Sequence, residues 1–229
     1  MQMLNRDGAR QQKAGGIAAL YLALAYLAAM PYFLLVVDYQ GATTAAAKVA
    51  LIVDNYASMY AMYIGTYVIF GIVLGVLALA LHDRLRAAAP STARVATAVG
   101  LLWSFVLVAS GMLYTYGMTT IVALAKTDVA QAETAWQAIE PVAMGLGGAG
   151  GEILGGLWVL LLSLITLRSG ALPKALGWLG LVIGVAGLGS VVPPLHDVAY
   201  VFGLLQIVWF VWVGVALLKT RATVEGSLQ

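Results

Sequence analysis

Long apolar stretches separated by short polar breaks dominate the sequence from residue 14 onward. A bilayer core of about 30 Å needs about 20 helical residues for one crossing, and about six stretches approach that length. We place the predicted transmembrane helices at residues 14–37, 59–81, 95–118, 141–167, 175–192 and 198–218. Pro193 and Pro194 cannot continue a helix, so they predict a tight turn before the last span. The pattern therefore predicts an all-α polytopic membrane helical bundle in one domain, residues 1–229.

Composition supports this class and excludes several others. Hydrophobic residues make up 62% of the chain and charged residues 10%, whereas soluble globular domains are about 25% charged. Cysteine is absent, which excludes disulfides, thiolate metal sites and cysteine nucleophiles. The first apolar stretch is too long for the core of a signal peptide, so we expect it to remain as the first span.

The distribution of positive charge predicts an orientation. Ten of the 12 Lys and Arg residues precede the first span, lie in the second and fourth loops or follow the sixth span: Arg6, Arg10, Lys13, Arg84, Arg86, Arg94, Arg168, Lys174, Lys219 and Arg221. Lys48 and Lys126 fall on the opposite side, together with most of the acidic residues. Because cytoplasmic loops retain an excess of Lys and Arg, we predict that both termini are cytoplasmic and that the outer face is acidic.

Glu152 is the main candidate for a functional residue. In a continuous fourth span it lies about 16 Å deep, near the middle of the bilayer. A carboxyl group there costs at least about 2.5 kcal/mol and normally faces a bundle interior or a wet cavity. Gly148 and Gly156, four residues to either side, favour close helix contact on the same face or a local helix break. Glu152 is thus either a proton- or cation-handling group or a neutral side chain hydrogen-bonded to a neighbouring helix.

A stripe of tyrosines on the second span predicts a cavity. Tyr56, Tyr60, Tyr63 and Tyr67 share one helical face, and Gly71 and Gly75 continue that face. If the glycines pack tightly and the tyrosines hold the helices apart, a cavity opens to the outside. Tyr60, Tyr63 and Tyr67 are therefore predicted to line a ligand or ion site, although a tyrosine bonded to any backbone carbonyl explains Tyr67 equally simply.

Asp38, His196 and Gln206 are predicted at depths that suit the same cavity. His196 and Asp197 form an acid–base pair suited to metal binding or titration near neutral pH, although such histidines are often ordinary interface residues. His82 lies on the opposite face from His196, which argues against a bis-histidine haem site. The sequence thus identifies no cofactor and no complete metal site. It also contains no phosphate-binding loop, no nucleophile elbow and no basic–aromatic patch for nucleic acid.

The last third of the chain carries a family resemblance. It runs from the basic loop Leu167-Arg168-Ser169-Gly170-Ala171-Leu172-Pro173-Lys174 through a glycine-rich span to a last span with Trp209 and Trp212. This part resembles bacterial six-span proteins that are known only as a domain of unknown function. The resemblance implies a multi-pass protein of the bacterial inner membrane and implies no functional residues.

Three functions remain open. The first is a small transporter-like or ligand-binding protein that admits a cation, a proton or a small molecule from outside, with Glu152 at its centre. The second is an interaction or regulatory subunit whose glycine faces bind another membrane protein or a second copy. The third, an enzyme of the outer leaflet, is least favoured because no nucleophile or complete metal shell is visible. For each of the three functions, we expect the protein to lie in a lipid bilayer.

Overall fold

A computed structural model describes residues 2–148 and 152–226, with side chains from residue 8 to residue 219. The described chain is helical and contains no strand. Its α-helices are α1 (Gln2–Pro31), α2 (Ala45–Asp54), α3 (Tyr56–Tyr63), α4 (Phe70–Leu85), α5 (Pro90–Ala125), α6 (Val129–Gly147), α7 (Ile153–Ser169), α8 (Lys174–Gly189) and α9 (Val198–Gly226).

Three short segments of other helical types join these elements. A π-helical turn, Tyr32–Val36, extends α1, and a second, Ile64–Ile69, joins α3 to α4 without a break in the helix. A 3₁₀ turn, Pro193–Leu195, lies between α8 and α9, where the two prolines predict a tight connection.

Six helices form a closed ring in which each packs against its neighbours, in the order α1, α4, α5, α7, α8, α9 and back to α1. Successive helices of the ring run in opposite directions. The end at which α4, α7 and α9 finish carries Arg84, Arg86, Arg94, Arg168 and Lys174 and is here called the basic end. The opposite end, with most of the carboxylates, is called the acidic end. The interior of the ring is filled by aromatic and aliphatic side chains around Trp103, Trp158 and Trp209.

A second hydrophobic cluster lies at the acidic end. The 36 residues of α5 span about 54 Å, which is more than a bilayer core. Its far end packs against α2, α3 and α6 around buried Trp136 and Met118. Thr44 caps α2 by accepting a hydrogen bond from the Ala47 amide, and Asp128 caps α6 through the Gln131 amide. These caps begin two helices in a region that hydropathy alone leaves as loops.

Four stretches are long and apolar enough to cross a membrane: Gly8–Val36, Tyr56–Leu85, Pro90–Ala125 and Val198–Lys219. Two shorter apolar helices, α7 and α8, match the predicted fourth and fifth spans only in part. The prediction of a continuous helix over residues 141–167 is wrong, because α6 ends at Gly147 and α7 begins at Ile153. Gly148 adopts φ 91°, a left-handed conformation that suits glycine and ends the helix.

Glycines allow the helices of the ring to approach closely, as the small-residue patterns predict. A Cβ at Gly156 of α7 would lie 2.9 Å from the Leu188 amide nitrogen and 3.0 Å from the Gly184 carbonyl oxygen of α8. At Gly71 of α4, a Cβ would lie 2.7 Å from the Ser104 carbonyl oxygen of α5. Backbone atoms cannot move away as a flexible side chain can, so these contacts set the distances between the helices.

The contact between α7 and α8 predicts a specific sensitivity. Gly156→Ala should lower the free energy of unfolding by about 1–3 kcal/mol, because the added methyl group meets backbone, and Gly156→Leu should do more damage. Gly145→Ala is the matched control, since nothing lies within 4 Å of a Cβ there. Thermal and chemical unfolding in detergent measures both variants. Equal stability of the two alanine variants would contradict the close contact.

Candidate site: an aromatic cavity with one acidic residue

A cavity of about 330 Å³ lies between α1, the segment Ile64–Ile69, α5 and the end of α6. Two small residues of α1, Ala25 and Ala29, leave room on one side. Exposed Gln40 and Met144 also contribute to its wall. The volume falls at the lower end of the range for small-molecule pockets, about 300–1,000 Å³.

Aromatic side chains form half of the cavity wall, since eight of the 16 lining residues are Tyr, Phe or Trp. Tyr63 stacks on Tyr114 with ring centroids 4.2 Å apart. Tyr67 packs edge-on against the same ring, with centroids 5.6 Å apart. Each ring therefore holds its neighbour in place, and the wall is preorganised by packing.

The π-helical segment Ile64–Ile69 carries Thr66 and Tyr67 into this wall. A π-helical turn inserts a residue into the helical repeat and so changes the face on which the next side chains lie, and such turns are frequent at functional sites. Its backbone is held by Tyr21, whose hydroxyl donates to the Gly65 carbonyl oxygen at 2.8 Å. On the other side, Gly111 of α5 lets Tyr67 and Val68 approach, because a Cβ there would lie 2.7 Å from the Tyr67 Cβ.

Glu152 lines the cavity at the break between α6 and α7. Its backbone amide donates to the Ser190 Oγ at 3.0 Å, and Ser190 in turn donates to the Gly187 carbonyl oxygen at 2.7 Å. The carboxyl oxygens lie 2.9–3.0 Å from the position of a Cβ on Gly148. A larger residue at position 148 would thus displace the carboxyl group, in addition to disfavouring the left-handed backbone.

The helix break places Glu152 directly before the start of α7. It lies 16 residues along α7 from Arg168, or about 24 Å from the basic end. Ser190, its partner, lies 16 residues along α8 from Lys174 and reaches the same level. The argument for the expected depth used a continuous helix from residue 141, whereas the structure has a break between α6 and α7. The contact of Gly155 with Trp103 places Glu152 near the middle of the length of α5.

Several residues that line the cavity carry polar groups without partners in the described protein. The hydroxyl groups of Tyr26, Tyr63, Tyr67 and Tyr114 form no hydrogen bond to a described residue, and neither does the carboxyl group of Glu152. A polar group in an apolar region costs free energy unless it is hydrogen-bonded. These five groups therefore depend on water or on a ligand within the cavity.

A charged network holds the cavity wall at the acidic end. Lys48 of α2 donates to both carboxylate oxygens of Glu140 of α6, at 2.7 and 2.8 Å. Tyr39, which lines the cavity, donates to Glu140 Oε1 at 2.8 Å and accepts a hydrogen bond from Trp136 Nε1 at 3.0 Å. Burial, and then the neighbouring Glu140 carboxylate, raise the pKa of Tyr39 above its usual value, so the phenol stays protonated and continues to donate.

The structure brings together only part of the predicted site. Glu152, Tyr63 and Tyr67 line one cavity. Tyr60 does not line it, because the helix turns this side chain outward to 38% exposure. Asp38 is exposed and accepts a hydrogen bond from the Gly41 amide in a local turn.

His196 and Gln206 also lie outside the lining of the cavity. His196 is exposed in the connection between α8 and α9, so the expected acid–base pair with Asp197 is separate from Glu152. Gln206 is fully buried in α9, and neither of its amide atoms has a hydrogen-bond partner among the described residues. No group of three potential metal-ligating side chains occurs in the described part of the chain.

Sequence analysis missed Tyr26, Tyr39 and the pair Lys48–Glu140. One signal was present for Glu140, since it lies four residues after Trp136 on the buried face of α6. The start of α6, the helix that carries Glu140, also had a signal, because the spacing Asp128–Gln131 is typical of a capped helix start. The partnership with Lys48 links residues 92 positions apart, and no local pattern predicts it.

The charged network predicts a loss of stability when one partner is neutralised. Glu140→Gln should lower the free energy of unfolding by about 1–3 kcal/mol, because Lys48 loses its charged acceptor while Tyr39 keeps only a weaker one. Glu133→Gln on the same helix is the control, since Glu133 is only partly buried and belongs to none of these contacts. Chemical unfolding in detergent compares the variants, and equal stability would show that the network does not support the fold.

Comparison with known proteins agrees with the predicted family and adds no function. The chain matches, over residues 17–218, the family described as "Domain of unknown function (DUF4386)". No curated protein and no solved structure matches the chain. The match includes nearly all of the described helices and every residue that lines the cavity. The chain therefore belongs to the DUF4386 family of proteins of unknown function.

Proposed function

We propose that this chain is a six-span protein of the cell inner membrane that binds a small ligand or ion in the cavity at Glu152. The binding site faces the acidic end, and the role is that of a transporter-like or ligand-binding protein. The observation that carries this proposal is a single cavity lined by Glu152 and four tyrosines whose carboxyl and hydroxyl groups have no hydrogen-bond partner among the described residues. Polar groups that converge on an otherwise apolar pocket are typical of a binding site.

The helix break at the cavity supports the same function. In several transporter folds, discontinuous membrane helices place helix ends and free backbone groups at the ligand site. Here α6 ends and α7 begins beside Glu152, and α6 is fixed to α5 by Ser110, which donates to the Ala143 carbonyl oxygen at 2.7 Å. Irregular backbone at this depth is tolerated where it lines a cavity and not where it faces lipid.

Six crossings follow from adding α7 and α8 to the four long apolar stretches. These two helices contain 17 and 16 residues, about 25 Å each, so they fall short of a full bilayer core. The outer face of α8 nevertheless exposes Trp178, Val182 and Val185, at 63%, 55% and 65%. A face so apolar favours contact with lipid. Since the ring has an even number of helices, both termini lie at the basic end, which we assign to the cytoplasm.

The alternative function, an interaction subunit, receives less support. It relied on glycine faces that remain free to bind another membrane protein. Gly156, Gly184 and Gly187 pack against one another between α7 and α8, and Gly16 and Gly214 pack between α1 and α9. These small-residue faces are used within the chain, so they give no reason to expect a second protein there.

Single introduced cysteines test the orientation. The chain contains no cysteine of its own, so no native residue has to be replaced first. Cysteines introduced at Ala45, Val129 and Val198 should react with a membrane-impermeant thiol reagent in intact cells, and a cysteine at Ala88 should not. The expectation rests on the excess of Lys and Arg at the basic end. Labelling at Ala88 alone would reverse the assignment.

Access to the cavity tests the function itself. Thr66→Cys is nearly isosteric and lies in the cavity wall, so a small methanethiosulfonate reagent added from the acidic side should modify it in the folded protein. Ser163→Cys is the control, because Ser163 is 1% exposed and packs against Gly180 of α8. Protection of the Thr66→Cys variant to the same extent as the Ser163→Cys variant would overturn the proposal and leave the interaction subunit in its place.

A further inference from the structure

We propose that the ligand of this cavity is a small organic ammonium cation, held over tyrosine rings and paired with Glu152. This inference rests on the proposed function and names the class of compound that the site takes. Two independent features of the wall carry it: its eight aromatic side chains, and one carboxyl group without a cationic partner among the described residues.

The first feature is the aromatic wall. The face of an aromatic ring carries a negative electrostatic potential and attracts a cation within about 6 Å of the ring centre, most strongly where water is excluded. Tyr26, Tyr67 and Trp103 come from three different helical segments and line the same space. The alkyl groups of an ammonium ion, which spread its charge over an apolar surface, can contact several such faces at once. A hydrated metal ion cannot do so without losing its water shell.

The second feature is the carboxyl group of Glu152. Glu152 is the only ionisable acid or base other than tyrosine among the lining residues that the structure describes. Lys48 lies beside the cavity wall, with its ammonium group 5.3 Å from the centre of the Tyr39 ring. Both oxygens of Glu140 neutralise it. The cavity therefore presents one carboxyl group with no positive partner in the described protein, which favours a cationic ligand.

The same wall disfavours an inorganic cation as the ligand. Calcium takes six to eight oxygen ligands, and magnesium requires near-ideal octahedral geometry. The described lining supplies a single carboxyl group and phenol oxygens, and no cluster of three metal-ligating side chains occurs among the described residues. A space of about 330 Å³ is also far larger than a bare ion needs. An organic cation fills the space and uses one carboxylate and the aromatic faces.

The proposal predicts selectivity in the unmodified protein. With purified protein in lipid nanodiscs, tetramethylammonium, choline and benzyltrimethylammonium are titrated by calorimetry. Choline should bind at least about tenfold more tightly than 3,3-dimethylbutan-1-ol, its uncharged isostere, because the alcohol lacks the attraction to the rings and to Glu152. The cation should also slow modification of Thr66→Cys, whereas sodium and potassium at equal ionic strength should not.

Variants test the two features separately. Glu152→Gln should weaken choline binding at least about tenfold. Tyr67→Leu should weaken it severalfold, whereas Tyr67→Phe, which keeps the ring face, should retain the affinity. Tyr60→Leu is the matched control, since Tyr60 is exposed and does not line the cavity. Equal losses in the Phe and Leu variants of Tyr67 would show that the hydroxyl and not the ring binds the ligand, and would overturn the aromatic part of the proposal.

Failure of this inference is distinguishable from failure of the proposed function. If Thr66→Cys is modified but none of the three cations binds, or if the alcohol binds as tightly as choline, the cavity is a binding site for another class of ligand. If Thr66→Cys is protected like Ser163→Cys and no cation binds, the cavity is not a site at all, and both proposals fail.

Discussion

A membrane interior without water makes every interruption of helical hydrogen bonding costly, and the break between α6 and α7 is the interruption on which the candidate site depends. The chain satisfies the backbone around it with specific partners. The Gly148 amide donates to the Met144 carbonyl oxygen and closes α6, the Glu152 amide donates to Ser190, and the Gly156 amide donates to the Glu152 carbonyl oxygen to begin α7. With these bonds made, the break places a carboxyl group in the cavity without leaving those amides exposed to lipid.

Contacts between glycines and neighbouring helices determine where the ring is closed and where it is open. Gly71 brings α4 against α5 on the basic side of the cavity, and Gly156 with Gly187 brings α7 against α8 beside Glu152. Towards the acidic end the residues between helices become large, with Tyr63, Tyr67 and Tyr114 in contact through their rings. Tight contact on one side and bulky side chains on the other leave the space that forms the cavity.

The helices at the acidic end give this cavity a fixed wall. Residues of α2 and α6 pack on the far end of α5, and the pair Lys48–Glu140 joins them to Tyr39. Removing two charges from water is expensive, and such a pair is retained only with good geometry and further hydrogen bonds. Tyr39 and the bidentate contact of Lys48 supply them. The network neutralises Lys48 beside the cavity wall and leaves Glu152 as the one carboxyl group among the described lining residues.

Segment hydropathy was enough to predict a membrane protein, the positions of most apolar helices and the asymmetry of charge between the two ends. These properties depend only on each segment and on the solvent around it, so they can be predicted from the sequence of each segment separately. Glu152 was also identifiable, because an acidic side chain within an apolar stretch is costly wherever its neighbours lie. Only the tertiary structure decided that Tyr63 and Tyr67 line a cavity while Tyr60 does not, that α6 and α7 are separate helices, and that Lys48 neutralises Glu140. Those outcomes depend on which helix faces meet and on the sizes of the side chains across each contact. A single stretch of sequence specifies neither the facing helix nor its side chains.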